Sequence, residues 1–122
     1  MLKIAIVGCG KIADAHATEI QKIPNCEIAA VCDTAELMAR QLYDRFPVKQ
    51  YFDDLGRLLN EIHPDVVHIT TPPQTHFKIG MQCLEAGCHL YVEKPFTLNT
   101  SEAEKLIALA NETGRKITVG HD

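Results

Sequence analysis

Residues 2–13 read LKIAIVGCGKIA, and the change of character at Gly8 decides the fold. Leu2–Val7 is an apolar run broken only by Lys3. A short run of this kind, bounded by glycine, reads as a buried strand. From Lys11 the period changes. Ile12, His16, Ile20 and Ile23 recur at helical spacing until Pro24 ends the pattern. Between the two lies Gly8-Cys9-Gly10-Lys11-Ile12-Ala13, a G-x-G-x-x-A sequence. Gly8 suits a tight turn, Gly10 lets backbone approach a pyrophosphate, and Ala13 lets helix and strand pack closely. The first turn of the helix offers unpaired N–H groups and partial positive charge to phosphates.

Alone, such a glycine pattern is weak, and its setting gives it weight. It follows a strand, opens a helix, and has Asp33 twenty residues after Ala13, at the end of the next apolar run, Glu27–Cys32. Asp33 is placed to accept hydrogen bonds from the adenosine ribose hydroxyls, and its charge repels a 2′-phosphate. Residue 34 is threonine rather than arginine, which favours NAD. Arg40, about two helical turns further on, keeps NADP open. Asp33 is also a fit N-cap for a helix over Ala35–Arg45, a role that Thr34 can fill instead.

Strands and helices continue to alternate. Val48–Phe52, Asp65–Ile69, Cys88–Val92 and Lys116–Val119 read as strands. Asp54–Ile62, Gln74–Ala86 and Ser101–Asn111 read as helices. The last is well punctuated: Asn99 or Ser101 can cap it, Glu102 and Glu104 stand at capping-box spacing, and Gly114 suits its C-terminal stop. Near-continuous apolar strands between amphipathic helices imply a sheet covered on both faces. With right-handed crossovers this is an α/β, doubly wound, mostly parallel sheet of six strands, a Rossmann fold.

Composition narrows the functional classes. With 122 residues, 1–122 reads as one domain, and 46% hydrophobic residues fit a folded core. The net charge of −4 and the lack of a basic stripe argue against nucleic acid or an anionic membrane as partner. No apolar run is long enough for a membrane span or a signal-peptide core, so a cytoplasmic location is expected. The five cysteines lack Cys-x-x-Cys spacing and read as free, mostly buried thiols. No histidine–carboxylate cluster has metal spacing, so no metal is expected. His16, on the apolar helix face, reads as a hydrogen-bonded core histidine.

Two strand ends carry the remaining chemistry. Ligands of open α/β sheets bind at the carboxyl ends of the strands. Thr70-Thr71-Pro72-Pro73-Gln74-Thr75-His76 leaves the fourth strand, and Thr71, Gln74 and His76 are candidates to face a ribose or nicotinamide. His76 is equally readable as an exposed helix residue. Glu93-Lys94-Pro95 leaves the fifth strand. A lysine there can take or return the proton of a substrate hydroxyl as hydride moves. Glu93 is a candidate to orient it or to bond the cofactor, and Pro95 fixes the loop, with a cis bond available to it. A solvated charge pair explains the same spacing.

The segments VGCGKIADAH, AAVCDTAELMA, VVHITTPPQTHF, YVEKPFTLNTSEAEKLIALA and KITVGHD together resemble the N-terminal domain of the Gfo/Idh/MocA family of NAD(P)-dependent oxidoreductases. E-K-P with T-P-x-x-x-H upstream is the specific part. The resemblance implies Lys94 as the catalytic lysine, with Glu93 and Pro95 shaping the pocket beside nicotinamide. It implies Cys9, Gly10, Lys11 and Ile12 at the pyrophosphate, Asp33 at the ribose, and Thr71, Pro72, Gln74 and His76 at the nicotinamide half; Thr34, next to Asp33, is a further candidate for cofactor contact. Many members have asparagine where this chain has Pro73. Members are longer, with a second domain that completes the catalytic set and the homo-oligomer interface. The resemblance therefore implies a nucleotide-binding half without its substrate domain, inactive alone. The parent would act on a secondary alcohol of a sugar, cyclitol or related compound. A non-catalytic NAD(P)-binding module or nucleotide-sensing regulator fits the same fold.

Overall fold

The computed structural model describes residues 1–120; His121 and Asp122, which end the KITVGHD segment, lie outside them. Six strands, β1 (Leu2–Val7), β2 (Cys26–Cys32), β3 (Val48–Phe52), β4 (Val66–Ile69), β5 (His89–Val92) and β6 (Ile117–Val119), make one sheet in the order β3-β2-β1-β4-β5-β6. Every adjacent pair is parallel. The helices are α1 (Lys11–Gln21), α2 (Glu36–Arg45), α3 (Leu55–Ile62), α4 (His76–Glu85) and α5 (Thr100–Thr113).

The central strands lack alternation because both of their faces are buried. Ile4, Ile6, Ile28 and Val31 pack with Ala13, Ala17 and Ile20 of α1 and Leu42 of α2. Ala5, Val7, Val67, Ile69, Leu90 and Val92 pack on the other face with Leu58 of α3, Leu84 of α4 and Leu106 of α5. Ile6, Ile69, Leu84 and Leu106 are fully buried, and each such side chain stabilises the fold by about 1.5–3 kcal/mol. Exposed strand residues are confined to the edge strands, Lys49 and Gln50 of β3 and Thr118 of β6, and to the start of β1 at Leu2 and Lys3.

Element ends differ from the sequence expectation where proline or a cap decides them. Helix α1 stops at Gln21, not Ile23, because a residue before proline avoids helical backbone, and Asn25 then turns the chain at φ 64°. The expected helix over Gln74–Ala86 divides into a 3₁₀ turn at Pro73–Thr75 and α4. Asn99 caps α5 by accepting the Glu102 N–H, and Gly114 ends it in the left-handed region. The alternative cap, Ser101, lies inside the helix.

Strand β1 lies between β2 and β4, so the chain winds outward in opposite directions from their carboxyl ends. A crevice opens at such a switch point.

Candidate functional site

The β1 exit is set by close approach. Gly8 has φ +97°, and a Cβ there would lie 2.8 Å from the Thr70 carbonyl carbon, the Thr71 nitrogen and Thr71 Cγ2. Thr70 Oγ1 donates to the Val7 carbonyl at 3.1 Å and to the Gly8 carbonyl at 2.5 Å. Strand β4 is thereby tied to the glycine turn. Gly10 differs: nothing lies within 4 Å of where its Cβ would be. It precedes α1, whose first turn has no side-chain cap. The amides of such a turn lack intrahelical partners and point outward.

Asp33 spans the gap between β2 and this loop. Its Oδ2 accepts the Cys9 N–H at 2.8 Å and its Oδ1 accepts the Ala35 N–H at 2.9 Å. The carboxylate thus fixes the glycine loop and turns the chain into α2.

A cleft of about 840 Å³ lies over these strand ends. Nine of the sequence-predicted residues line it: Gly8, Gly10, Lys11, Ile12, Asp33, Thr34, Thr71, Pro72 and Gln74. Cys9, His76, Glu93 and Lys94 do not. Cys9 is buried, and its amide, expected at a pyrophosphate, is committed to Asp33. Burial first, and the Asp33 charge second, push the Cys9 thiol up to about 12; burial and the same charge do so for Cys32. Both stay protonated and unreactive near neutral pH.

His76 is placed differently from the expected cofactor contact. It is 1% exposed. Its Nε2 lies 2.8 Å from the Thr71 carbonyl, and its Nδ1 lies 3.0 Å and 3.1 Å from the carbonyls of Pro95 and Phe96. The ring faces inward because α4 starts at His76 itself, so the side chain packs beneath the loops and ties the cleft wall to the turn after Lys94. The Lys94–Pro95 bond is cis. Lys94 is exposed and makes no hydrogen bond or ion pair among the described residues. Glu93 is bonded to α1, where its Oε1 meets His16 Nε2 at 2.6 Å. His16 is the hydrogen-bonded core histidine expected, but its partners are Glu93 and His68.

Sequence reasoning missed Met38, Asp53, Asp54, Lys78 and Gln82 in the cleft wall. Asp53 and Asp54 follow β3, and the strand order places that end beside Asp33. Counting out the doubly wound order would have found them. Cleft charge is therefore divided: Asp33, Asp53 and Asp54 at the β2–β3 end, Lys11 and Lys78 elsewhere.

His68, in the middle of β4, is pulled down to about 4, first by burial and then by the His16 charge. In the unfolded chain it titrates near 6.5. Below that pH the unfolded chain gains a proton that the folded one does not, so stability falls from pH 6.5 down to about 4 and then levels. Urea unfolding at pH 7 and at pH 4.5 should show the unsubstituted chain losing about 2 kcal/mol more than His68→Gln does. Equal losses would show that His68 titrates normally.

The strand order, the open glycine loop and a carboxylate at the second strand end define a dinucleotide-binding Rossmann domain. The family described as "Oxidoreductase family, NAD-binding Rossmann fold" matches residues 2–121, and the chain belongs to this Gfo/Idh/MocA family. D-glucoside 3-dehydrogenase of Escherichia coli is 32% identical over 93% of this chain and 33% of its own length. UDP-N-acetylglucosamine 3-dehydrogenase of Acidithiobacillus ferrooxidans is 32% identical over 98% of this chain and 37% of its own. Among solved structures, GenD2 from gentamicin A biosynthesis, in complex with NAD, superposes with a TM-score of 0.93 at 32% identity, over 98% of this chain and 34% of that one. Scyllo-inositol dehydrogenase of Lactobacillus casei, with bound NAD(H) and scyllo-inositol, gives 0.89 at 26% identity, over 98% and 36%. The chain spans about a third of the length of the curated relatives it matches. Among the described residues, no helix is long and apolar enough to cross a membrane.

Proposed function

We propose that this chain is the nucleotide-binding half of an NAD-dependent oxidoreductase acting on a secondary alcohol of a sugar, cyclitol or related compound. The observation that carries this is the divided cleft. An uncapped helix start and open Gly10 suit a pyrophosphate, and Asp33 at the β2 end suits a ribose diol. The dinucleotide, when bound, supplies the hydride acceptor or donor. In this proposal the amides of Lys11 and Ile12 hold phosphate oxygens. Thr71, Pro72 and Gln74 wall the nicotinamide half. Lys94, one strand further along the rim, holds or returns the proton of the substrate hydroxyl. The relatives named above, and myo-inositol 2-dehydrogenase of Thermotoga maritima at 26% identity, support the substrate class. In this proposal a second domain and a homo-oligomer complete the parent.

Calorimetry tests the cofactor half. The cleft carries three carboxylates at the β2–β3 end, Asp33, Asp53 and Asp54, so NAD should bind at least 10-fold more tightly than NADP. Asp33→Asn should weaken NAD by about 10-fold, the size of one lost charge-assisted hydrogen bond, and narrow the gap to NADP. Equal affinity for the two cofactors in the unsubstituted chain would overturn the assignment of Asp33.

A further inference from the structure

Glu93 and Lys94 are adjacent and opposite in charge, yet they form no ion pair among the described residues. Both follow the last residue of β5, Val92, and the Glu93 carboxylate is already taken by another partner. His16 lies in the middle of α1, with its side chain 8% exposed. Its Nε2 is 2.6 Å from Glu93 Oε1, and its Nδ1 is 2.8 Å from Nδ1 of His68 on β4. Tyr91 of β5 stacks on His68 at 4.7 Å with 8° between the planes, and meets His16 edge-on at 5.4 Å.

The hydrogen bonds restrict the protons. A carboxylate only accepts, so His16 Nε2 carries hydrogen. Two Nδ1 atoms at this distance share one proton, so one of the rings is bare there. If His68 donates, His16 is neutral; if His16 donates, His16 is the cation and His68 accepts. Both arrangements leave the Nε2–H aimed at Glu93. The lowered titration of His68 agrees with its staying neutral in each. Neither use of the cluster involves the cleft, which none of these four residues lines.

We propose that His16 is a positioning residue for the lysine turn: backed by His68, it holds the Glu93 carboxylate against α1 and so keeps it from pairing with Lys94. An amine that must accept and release a substrate proton is hindered by a standing ion pair with its neighbour, because the pair favours the protonated form. The same bond joins the helix that opens at the glycine loop to the strand end that presents the lysine. The importance of Lys94 rests on the oxidoreductase proposal; the His16–Glu93 tie does not.

The test needs neither cofactor nor turnover, so its failure is separate from failure of the functional proposal. Nitrogen-15 spectra of the histidine-labelled chain should show His16 protonated at Nε2, with a slowly exchanging proton whose resonance moves in Glu93→Gln. An unprotonated Nε2, or a resonance indifferent to Glu93→Gln, overturns the tie. His16→Leu should then shift the Lys94 Cε and Hε resonances, because the freed carboxylate reaches the ammonium. In the E93Q background the same substitution should leave them unmoved. A His16 that merely packs would move them equally in both backgrounds, which overturns the positioning role. His16→Gln, which presents an N–H where Nε2 stood, should keep the Lys94 resonances near their original positions; if it shifts them as far as His16→Leu does, the tie is not the cause. Thermal melts identify a variant that fails to fold, and Glu93→Gln alone then carries the test from the partner's side.

Discussion

Gly8→Ala should lose about 2–5 kcal/mol of folding stability, the sum of left-handed strain in an alanine and of overpacking against neighbours that cannot move. The backbone there has φ +97°, and the new Cβ would sit 2.8 Å from three atoms of Thr70 and Thr71, two of them backbone. Relief requires β1 and β4 to separate at their carboxyl ends, where Thr70 N–H and Oγ1 both bond Val7. That loss is a large share of the roughly 5–15 kcal/mol available to a domain of this kind. Urea denaturation monitored by circular dichroism gives the number. The instructive control is Gly10→Ala. Its φ is −79° and its Cβ would meet nothing within 4 Å, so stability should change by less than about 1 kcal/mol. NAD binding should nevertheless weaken at least 10-fold, because the methyl group occupies the space over the start of α1. If Gly8→Ala proves harmless, the tight contact with β4 does not hold in solution. If Gly10→Ala leaves NAD affinity unchanged, the pyrophosphate lies elsewhere.

In the oxidoreductase proposed above, Lys94→Met should lower kcat by about 100-fold to 10,000-fold, the range for removing a general acid–base. It should do so almost without structural cost. Lys94 is exposed and unpaired among the described residues, and substitutions at such sites stay within about 0.5 kcal/mol. NAD affinity should hold within a few-fold, since the side chain does not line the cleft. The combination of lost turnover, retained folding and retained cofactor separates a catalytic lysine from a stabilising one. A loss below 10-fold would reject the role, and absence of any turnover in the unsubstituted protein would favour a non-catalytic binding module.

The parts of the site legible in the sequence are those built within one strand–loop–helix unit. Gly8, Gly10 and Asp33 act through backbone turns and short spacings, and the cleft contains all three. Residues whose surroundings come from distant segments were not legible. Cys9 lies inside the glycine motif, yet its amide is committed to a residue 24 positions away. His16 shows helical periodicity, which reports the face it occupies but not the Glu93 partner 77 positions on. His76 reads equally as a cofactor contact or an exposed helix residue, because nothing local indicates that the carbonyls of Pro95 and Phe96 fold back over it. Periodicity reports burial, and partner identity depends on chain crossings that a single sequence does not encode locally.

The carboxylate of Asp33 also sets a count. Two oxygens offer about four acceptor positions. The amides of Cys9 and Ala35 occupy one on each oxygen. One position per oxygen remains, and a vicinal diol brings the matching number of donors. A phosphorylated ribose would bring one donor fewer together with added negative charge, leaving an acceptor unfilled in a cleft wall already shared with Asp53 and Asp54. Cofactor choice at this position thus depends on the stoichiometry of donors as well as on repulsion. The two protein amides fix that stoichiometry before any ligand arrives.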